Sequence, residues 1–229
     1  MKLRTLSAAL AVAGLGFGLS AHAAGMSDDV IRIGFITDMS GVYADVDGNG
    51  GADAIRMAIA DMGGEINGKK IELLTADHQN KADIASARAR DWFDTQHMDM
   101  LIGGTNSATA LAMAGVAAEK KKPFIAIGAG SSQLTNEKCT PYTVHYAYNT
   151  TALANGTGSA VIREGGKSWF FLTADYAFGH SLEQDTAKVV KKDGGKVLGE
   201  VRAPLSTTDF SSFLLQGMAE GVVGGQEEP

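Results

Sequence analysis

The chain is poor in the residues that staple, stiffen or elongate proteins. Cys139 is its single cysteine, so no disulfide can close within it and no cysteine-based metal cluster can be built. Only 4 prolines occur among 229 residues, which excludes proline-stiffened linkers, whereas 29 glycines favour tight connections between strands and helices. No heptad pattern and no short-period repeat is present. Basic charge is scarce as well. The net charge is −6, and the first 23 residues contribute Lys2 and Arg4 without any acid, so the remainder is more acidic still. Such a surface does not track a phosphate backbone, and no nucleic-acid partner is expected. The lone cluster Lys120-Lys121-Lys122, followed by Pro123, reads as a helix end that complements the helix dipole.

Catalytic signatures are missing too. His78, His97, His145 and His180 are scattered singly, with no HExxH pair and no GxSxG elbow. Gly14-Leu15-Gly16-Phe17-Gly18 mimics a dinucleotide loop but lies within an export leader, described next. No enzyme activity, cofactor or metal is expected.

What is present starts at the amino terminus. Lys2 and Arg4 precede an uncharged apolar stretch from Leu6 to Leu19, and Ala21-His22-Ala23 supplies a small-x-small cleavage pattern. Residues 1–23 therefore read as a signal peptide cleaved after Ala23. The apolar stretch is too short to span a bilayer and no second one follows, so a free periplasmic protein is expected.

From Val30 onward strands and helices alternate. Val30 to Thr37 (VIRIGFIT) is β-branched and apolar, as a buried parallel strand requires. Gly51 to Met62 carries Ile55, Ile59 and Met62 at helical spacing, and Gly63-Gly64 stops it. Lys70 to Ala76 reads as strand, and Asp83 to Gln96 as helix with Ala85, Ala89 and Trp92 on one face. Met98 to Ile102, a helix from Ser107 to Lys120, and Pro123 to Ile127 continue the rhythm. A second block follows: Tyr142 to Ala147 extended, Thr151 to Glu164 helical, Ser168 to Thr173 strand, Ser181 to Lys192 helical, Lys196 to Arg202 strand, and a helix from Phe210. The expected fold class is α/β, with parallel sheets flanked by helices in two lobes: residues 24–141 and a partial second lobe at 142–216. The glycine-rich, acidic segment 217–229 reads as a disordered tail.

In open parallel sheets ligands sit beyond the carboxyl ends of the strands, where the amides of the following helix point outward. Three loops meet that description: Gly103 to Ser107, Gly128 to Ser132, and Ala174 to Gly179, the last combining Asp175 with Tyr176 and Phe178. Ser107 can cap its helix or hydrogen-bond an anion. Hydroxyls and helix amino termini suit a carboxylate, and free carbonyls suit an ammonium group.

The ordered set IRIGFITDMSG (Ile31 to Gly41), GGEINGKKIELL (Gly63 to Leu74), LIGGTNSATALA (Leu101 to Ala112), PFIAIGAGSSQLT (Pro123 to Thr135) and FLTADYAFG (Phe171 to Gly179) resembles the periplasmic leucine/isoleucine/valine-binding family of ABC-transporter receptors. The resemblance implies a two-lobed periplasmic binding protein of type I that captures a small polar ligand, an amino acid or related amide or carboxylate. It implies delivery of that ligand to an ABC permease in the inner membrane, by a receptor acting as a monomer. A ligand sensor of the same fold and a truncated fragment without function are the alternatives. The resemblance also implies that Ser107 holds the ligand carboxylate. Gly128, Ala129 and Gly130 fall where the family uses backbone groups and a threonine hydroxyl; Ser131 is the nearest hydroxyl. Phe178 stands where the family commonly places a covering tyrosine, Asn149 near the aspartate of the lobe crossing, and Tyr43 in the first ligand loop, with Asp175 as the acid of the third. The family finishes both lobes with later strands and helices. The sequence stops before those, so an incomplete second lobe, a bare sheet edge, exposed apolar surface and a poorly stable product are expected.

Overall fold

In the computed structural model, which describes residues 28–219, β1 (Val30–Thr37) runs through the middle of a sheet. Its last four residues are buried, and Phe35, Ile36 and Thr37 have no exposure, as a strand screened on both faces requires. The signal-peptide reading (1–23) and residues 220–229 lie outside the described residues.

Around β1 stand β2 (Glu65–Ile66), β3 (Lys69–Asp77), β4 (Met100–Gly103), β5 (Phe124–Ala126) and β6 (Thr143–His145), in the order β2-β3-β1-β4-β5-β6. All pairings are parallel except the short β2–β3 ribbon, which the sequence reading did not contain. The helices are α1 (Ala44–Asp47), α2 (Asn49–Asp61), α3 (Ala82–Thr95) and α4 (Ser107–Lys120). α3 and α4 pack side by side over one face of the sheet, and the main core lies there: Trp92, Phe93, Met98, Leu101, Met113, Phe124 and Leu134. Each such side chain removed from water contributes about 1.5–3 kcal/mol. On α2 the expected apolar stripe is only partly used. Ala52 is buried and Ile55 and Ile59 half-buried, while Met62 stays exposed. The lysine cluster does end a helix: Lys121 adopts a left-handed conformation after α4, and Lys120 Nζ reaches Asp94 at 2.6 Å.

The second unit begins with α5 (Thr150–Leu153), a π-helical turn (Ala154–Gly158) and α6 (Ser159–Arg163). The sequence suggests one regular helix here; Gly156 and Gly158 weaken the α-helical ladder and let the turn widen. β7 (Ser168–Ala174), α7 (Ala177–Lys192) and β8 (Lys196–Ala203) form a parallel pair with its crossover helix. α8 (Ser211–Ala219) packs on β8, so the segment expected to be disordered from residue 217 starts as helix.

One boundary moves. Tyr142 to Ala147, read from the sequence as the start of the second block, supplies β6 as the edge strand of the first sheet, paired with β5. The first sheet thus ends at His145 rather than at residue 141. Three residues with a single β-branched apolar side chain, Val144, carry no signal of which sheet they join. Among the described residues β7 pairs on one side only. Beside it lies a groove of about 420 Å³ walled by Leu153, Trp169, Phe171, Phe178 and Leu182, and Leu172 is 42% exposed.

Candidate functional site

The parallel strand order β3-β1-β4-β5-β6 switches between β1 and β4, the point of an open parallel sheet beyond which ligands bind. The turn after β4 is tightly packed there. A side chain on Gly104 would overlap the hydroxyl of Thr37 and lie 2.5 Å from the Asp47 carboxylate. Asn106, not Ser107, caps α4: its Oδ1 accepts from the amides of Ala108 and Thr109 at 2.7 and 3.2 Å. Ser107, 1% exposed, is thereby released from capping, and its Oγ accepts from the Ser131 amide at 3.1 Å. Its hydroxyl proton is the group left to offer an anion. The neighbouring Thr105 Oγ1 is enclosed and has no partner.

The loop after β5 lies against both lobes. Gly128 packs on Thr105, and the Ala129 carbonyl meets His145 Nε2 at 2.5 Å. The Gly130 carbonyl accepts from the Thr150 amide at 2.8 Å, and a side chain at Gly130 would come within 2.8 Å of the rings of both Tyr148 and Phe178. Ser131 Oγ lies 2.6 Å from Ser181 Oγ on α7, and Tyr43 donates to or accepts from Tyr176 across the seam at 2.7 Å. Burial, then the contact with Tyr43, holds the Tyr176 hydroxyl far above its ordinary pKa. Ser107, Gly128, Ala129, Gly130, Ser131, Tyr43 and Phe178 thus share one seam between the lobes.

Asn149 and Asp175 stand differently. Asn149 Oδ1 accepts from the Ala152 amide at 2.8 Å and so caps α5. Asp175 pairs with His180 Nε2 at 2.7 Å, half exposed. A further cluster, Asp38, Asp77 and His78, supports the loop after β1. Its carboxylates accept from the amides of Gly41, Tyr43, Met39 and Gln79, and His78 Nδ1 accepts from the Asn80 amide at 3.0 Å. The proton of neutral His78 is then on Nε2, which leaves no free lone pair for a cation. Burial depresses the His78 pKa and keeps the ring neutral. This arrangement fixes the loop after β1.

Several seam residues were not read from the sequence: Tyr148, Thr150, Ser181 and Asp185. Thr150 is a junction. Its amide reaches Gly130, its Oγ1 accepts from the Ser132 amide at 3.1 Å and donates to Asp185 Oδ2 at 2.7 Å. Burial pushes the Asp185 carboxyl up, but hydrogen bonds from Thr150, Ser132, Lys188 and Thr151 outweigh it, and the pKa falls below the ordinary aspartate value. The folded state therefore prefers the ionised form. Its contribution is complete above the unfolded pKa and is lost as pH falls through the lowered folded value. Asp185→Asn is expected to flatten the loss of urea resistance between neutral pH and about pH 3; an acid limb identical to that of the unaltered protein would refute this role.

The family follows from comparison with known proteins. The model of a family described as "Periplasmic binding protein" matches residues 30–224. The chain belongs to that family. A crystal structure of a periplasmic binding protein from Burkholderia mallei is 69% identical, with a TM-score of 0.81, over 84% of this chain and 51% of that one. A solute-binding protein of an ABC transporter from Rhodopseudomonas palustris BisB5, solved with 3,4-dihydroxybenzoic acid, is 28% identical, with a TM-score of 0.72, over 85% of this chain and 53% of that one. The Leu/Ile/Val-binding protein homolog 6 of Brucella abortus (strain 2308) is 25% identical over 210 residues, 91% of this chain and 52% of that protein. The chain spans about half the length of the curated relatives it matches. Its two α/β units are those of a type I periplasmic binding protein, and no helix among the described residues is long and apolar enough to cross a membrane.

Proposed function

We propose that this periplasmic binding protein captures a small carboxylate-bearing solute at the seam between its lobes and hands it to an ABC permease of the inner membrane. The observation that carries the reading is the meeting of two strand-end loops of one lobe, those after β1 and β5, with the amino-terminal ends of α5 and α7 in the other, through Ser131–Ser181, Gly130–Thr150 and Tyr43–Tyr176. Hydroxyls and amides gathered there replace water around an anion, and the same bonds form only when the lobes close. The dihydroxybenzoate of the Rhodopseudomonas protein supports a carboxylate as the recognised group. Ser107, with Ser131 and the Gly128 to Gly130 backbone, is the proposed anchor, and Asp175 and Asn149 act as supports of the surrounding helices.

Thermal-shift measurements on the intact protein with a panel of small carboxylic acids, amino acids and amides test this. At least one compound is expected to raise the melting temperature. Ser107→Ala, which removes the anchoring hydroxyl and strands the buried Ser131 amide, is expected to weaken that compound about ten-fold or more. A full panel without any shift would sink the reading. Export is tested by mass spectrometry of the periplasmic fraction, where the mature chain is expected to begin at Ala24.

A further inference from the structure

Ser107 can either cap α4 or turn its hydroxyl to the seam, and which of the two it does is settled outside its own loop. We infer that Asn80, in the turn after β3, is a positioning residue: through Asn106 it holds the cap of α4 and so keeps Ser107 free to serve as an anchor. What Ser107 then anchors rests on the receptor reading above.

The amides of Ala108 and Thr109 can only donate, so the side chain of Asn106 faces them with its oxygen, at 2.7 and 3.2 Å. Its nitrogen is thereby turned the other way, and Asn106 is 3% exposed, so that end needs a protein acceptor. Asn80 Oδ1 supplies it at 2.6 Å, from 26 residues earlier in the chain. An amide side chain has nearly the same shape either way round. With the acceptor gone, both orientations are penalised: one leaves an enclosed NH2 unpaired, and the other sets that NH2 against two N–H donors. Serine, next in line, is a preferred cap in its own right. Once Asn106 lets go, Ser107 Oγ is drawn to the freed amides of α4 and away from the Ser131 amide, from which it accepts at 3.1 Å.

The backbone around Asn80 presents that acceptor. Gln79 and Asn80 both have left-handed φ, 50° and 60°, a conformation that few residues with side chains adopt and that asparagine tolerates better than most. Three hydrogen bonds hold it: the Gln79 amide to Asp77 Oδ1 at 2.7 Å, the Asn80 amide to His78 Nδ1 at 3.0 Å, and the Lys81 amide to the His78 carbonyl at 2.9 Å. His78 has no exposure, so the turn is tied to the interior. Successive left-handed residues without glycine persist only where their surroundings fix them. Here they bring the end of β3 to the cap of the helix that follows β4, all within the first lobe.

The experiment is native-state hydrogen exchange, read amide by amide by NMR on the intact protein, with Asn80→Gly and Asn80→Asp. Glycine keeps the left-handed turn and removes the acceptor, whereas aspartate keeps both. Asn80→Gly is expected to speed exchange of the Ala108, Thr109 and Ser131 amides at least ten-fold, while the amides of Leu101 and Phe124, bonded to the Pro123 and Tyr142 carbonyls, keep the rate of the unaltered protein. Asn80→Asp is expected to leave all five near that rate. Faster exchange at all five in Asn80→Gly would be a general loss of stability and would overturn the positioning role, as would unchanged exchange at Ser131. Calorimetric titration with L-leucine and with 3,4-dihydroxybenzoate, which share a carboxylate, adds a functional readout. Whichever binds the unaltered protein is expected to bind Asn80→Gly at least ten-fold more weakly, with no further loss when Ser107→Ala is already present. Full affinity in Asn80→Gly, or additive losses in the double variant, would overturn action through Ser107. If neither compound binds the unaltered protein, the receptor reading loses its support, and exchange at Ser131 still decides the relay.

Discussion

Phe124→Ala is expected to lower the stability of the protein by about 3–5 kcal/mol, measured as the shift in a urea unfolding curve. Phe124 has no exposure and lies in β5, at the centre of the cluster formed by Leu101, Met113, Ala117 and Leu134. Its ring rests directly on β4, because Gly103 has no side chain to hold it off; a Cβ there would come within 2.5 Å of the ring. Truncation leaves a void between two neighbouring strands whose backbones are fixed by pairing, so the site collapses poorly. Domains of this kind are stable by only about 5–15 kcal/mol, which makes this loss a large fraction of the total. The geometry also predicts coupling. Gly103→Ala should destabilise the unaltered protein by about 1–3 kcal/mol through overpacking against the Phe124 ring and the flexible end of Met113, and by less once the ring is gone. Additive losses in the double variant would show that ring and glycine do not meet as described.

Gly179→Ala is expected to destabilise the protein and to weaken ligand binding at the same time. A methyl group at this position of α7 would overlap the carbonyl oxygen of Ala174 and lie 3.0 Å from its carbon, both backbone atoms of β7. No flexible side chain can give way. The first turn of α7 must therefore lift from the end of β7, and that turn carries Phe178 and, two residues beyond Gly179, Ser181. The seam contacts Ser131–Ser181 and Gly130–Phe178 move with it. We expect a destabilisation of about 1–3 kcal/mol from strain, with a drop in affinity of at least ten-fold for whichever carboxylate the panel identifies. Full affinity in a folded Gly179→Ala variant would mean that α7 does not position the binding surface.

Much of the fold was legible because local chemistry and period coincide. VIRIGFIT reads as a covered strand and is one; Ala85, Ala89 and Trp92 fall on the face that α3 buries. The loops were legible for the same reason, since glycines and hydroxyls at strand ends mark where a parallel sheet presents amides. α7 shows where this reading fails. Its buried stripe includes Ser181, Glu183, Asp185 and Thr186 beside Val189 and Val190, because three of these polar groups find partners there: Ser181 in Ser131 of the other lobe, Asp185 in Thr150 and Thr151, and Glu183 in Arg202. Hydrophobic periodicity cannot register a hydroxyl and a carboxylate four residues apart as an interface. Ser107 was misjudged in a milder way as a possible cap, since only the backbone shows that Asn106 already fills that position.

The sequence by itself determined the alternation of strands and helices, the parallel sheets that alternation requires, and the three polar loops at their carboxyl ends. Those properties depend on residues close together along the chain. Tertiary structure alone decided that β6 joins the first sheet, that Thr150 and Asp185 lock α7 to the Gly130 loop, and that Tyr148 and Phe178 meet over a glycine. Each of these joins residues far apart in sequence through contacts whose geometry is set by how the two lobes pack, and no local pattern encodes that packing.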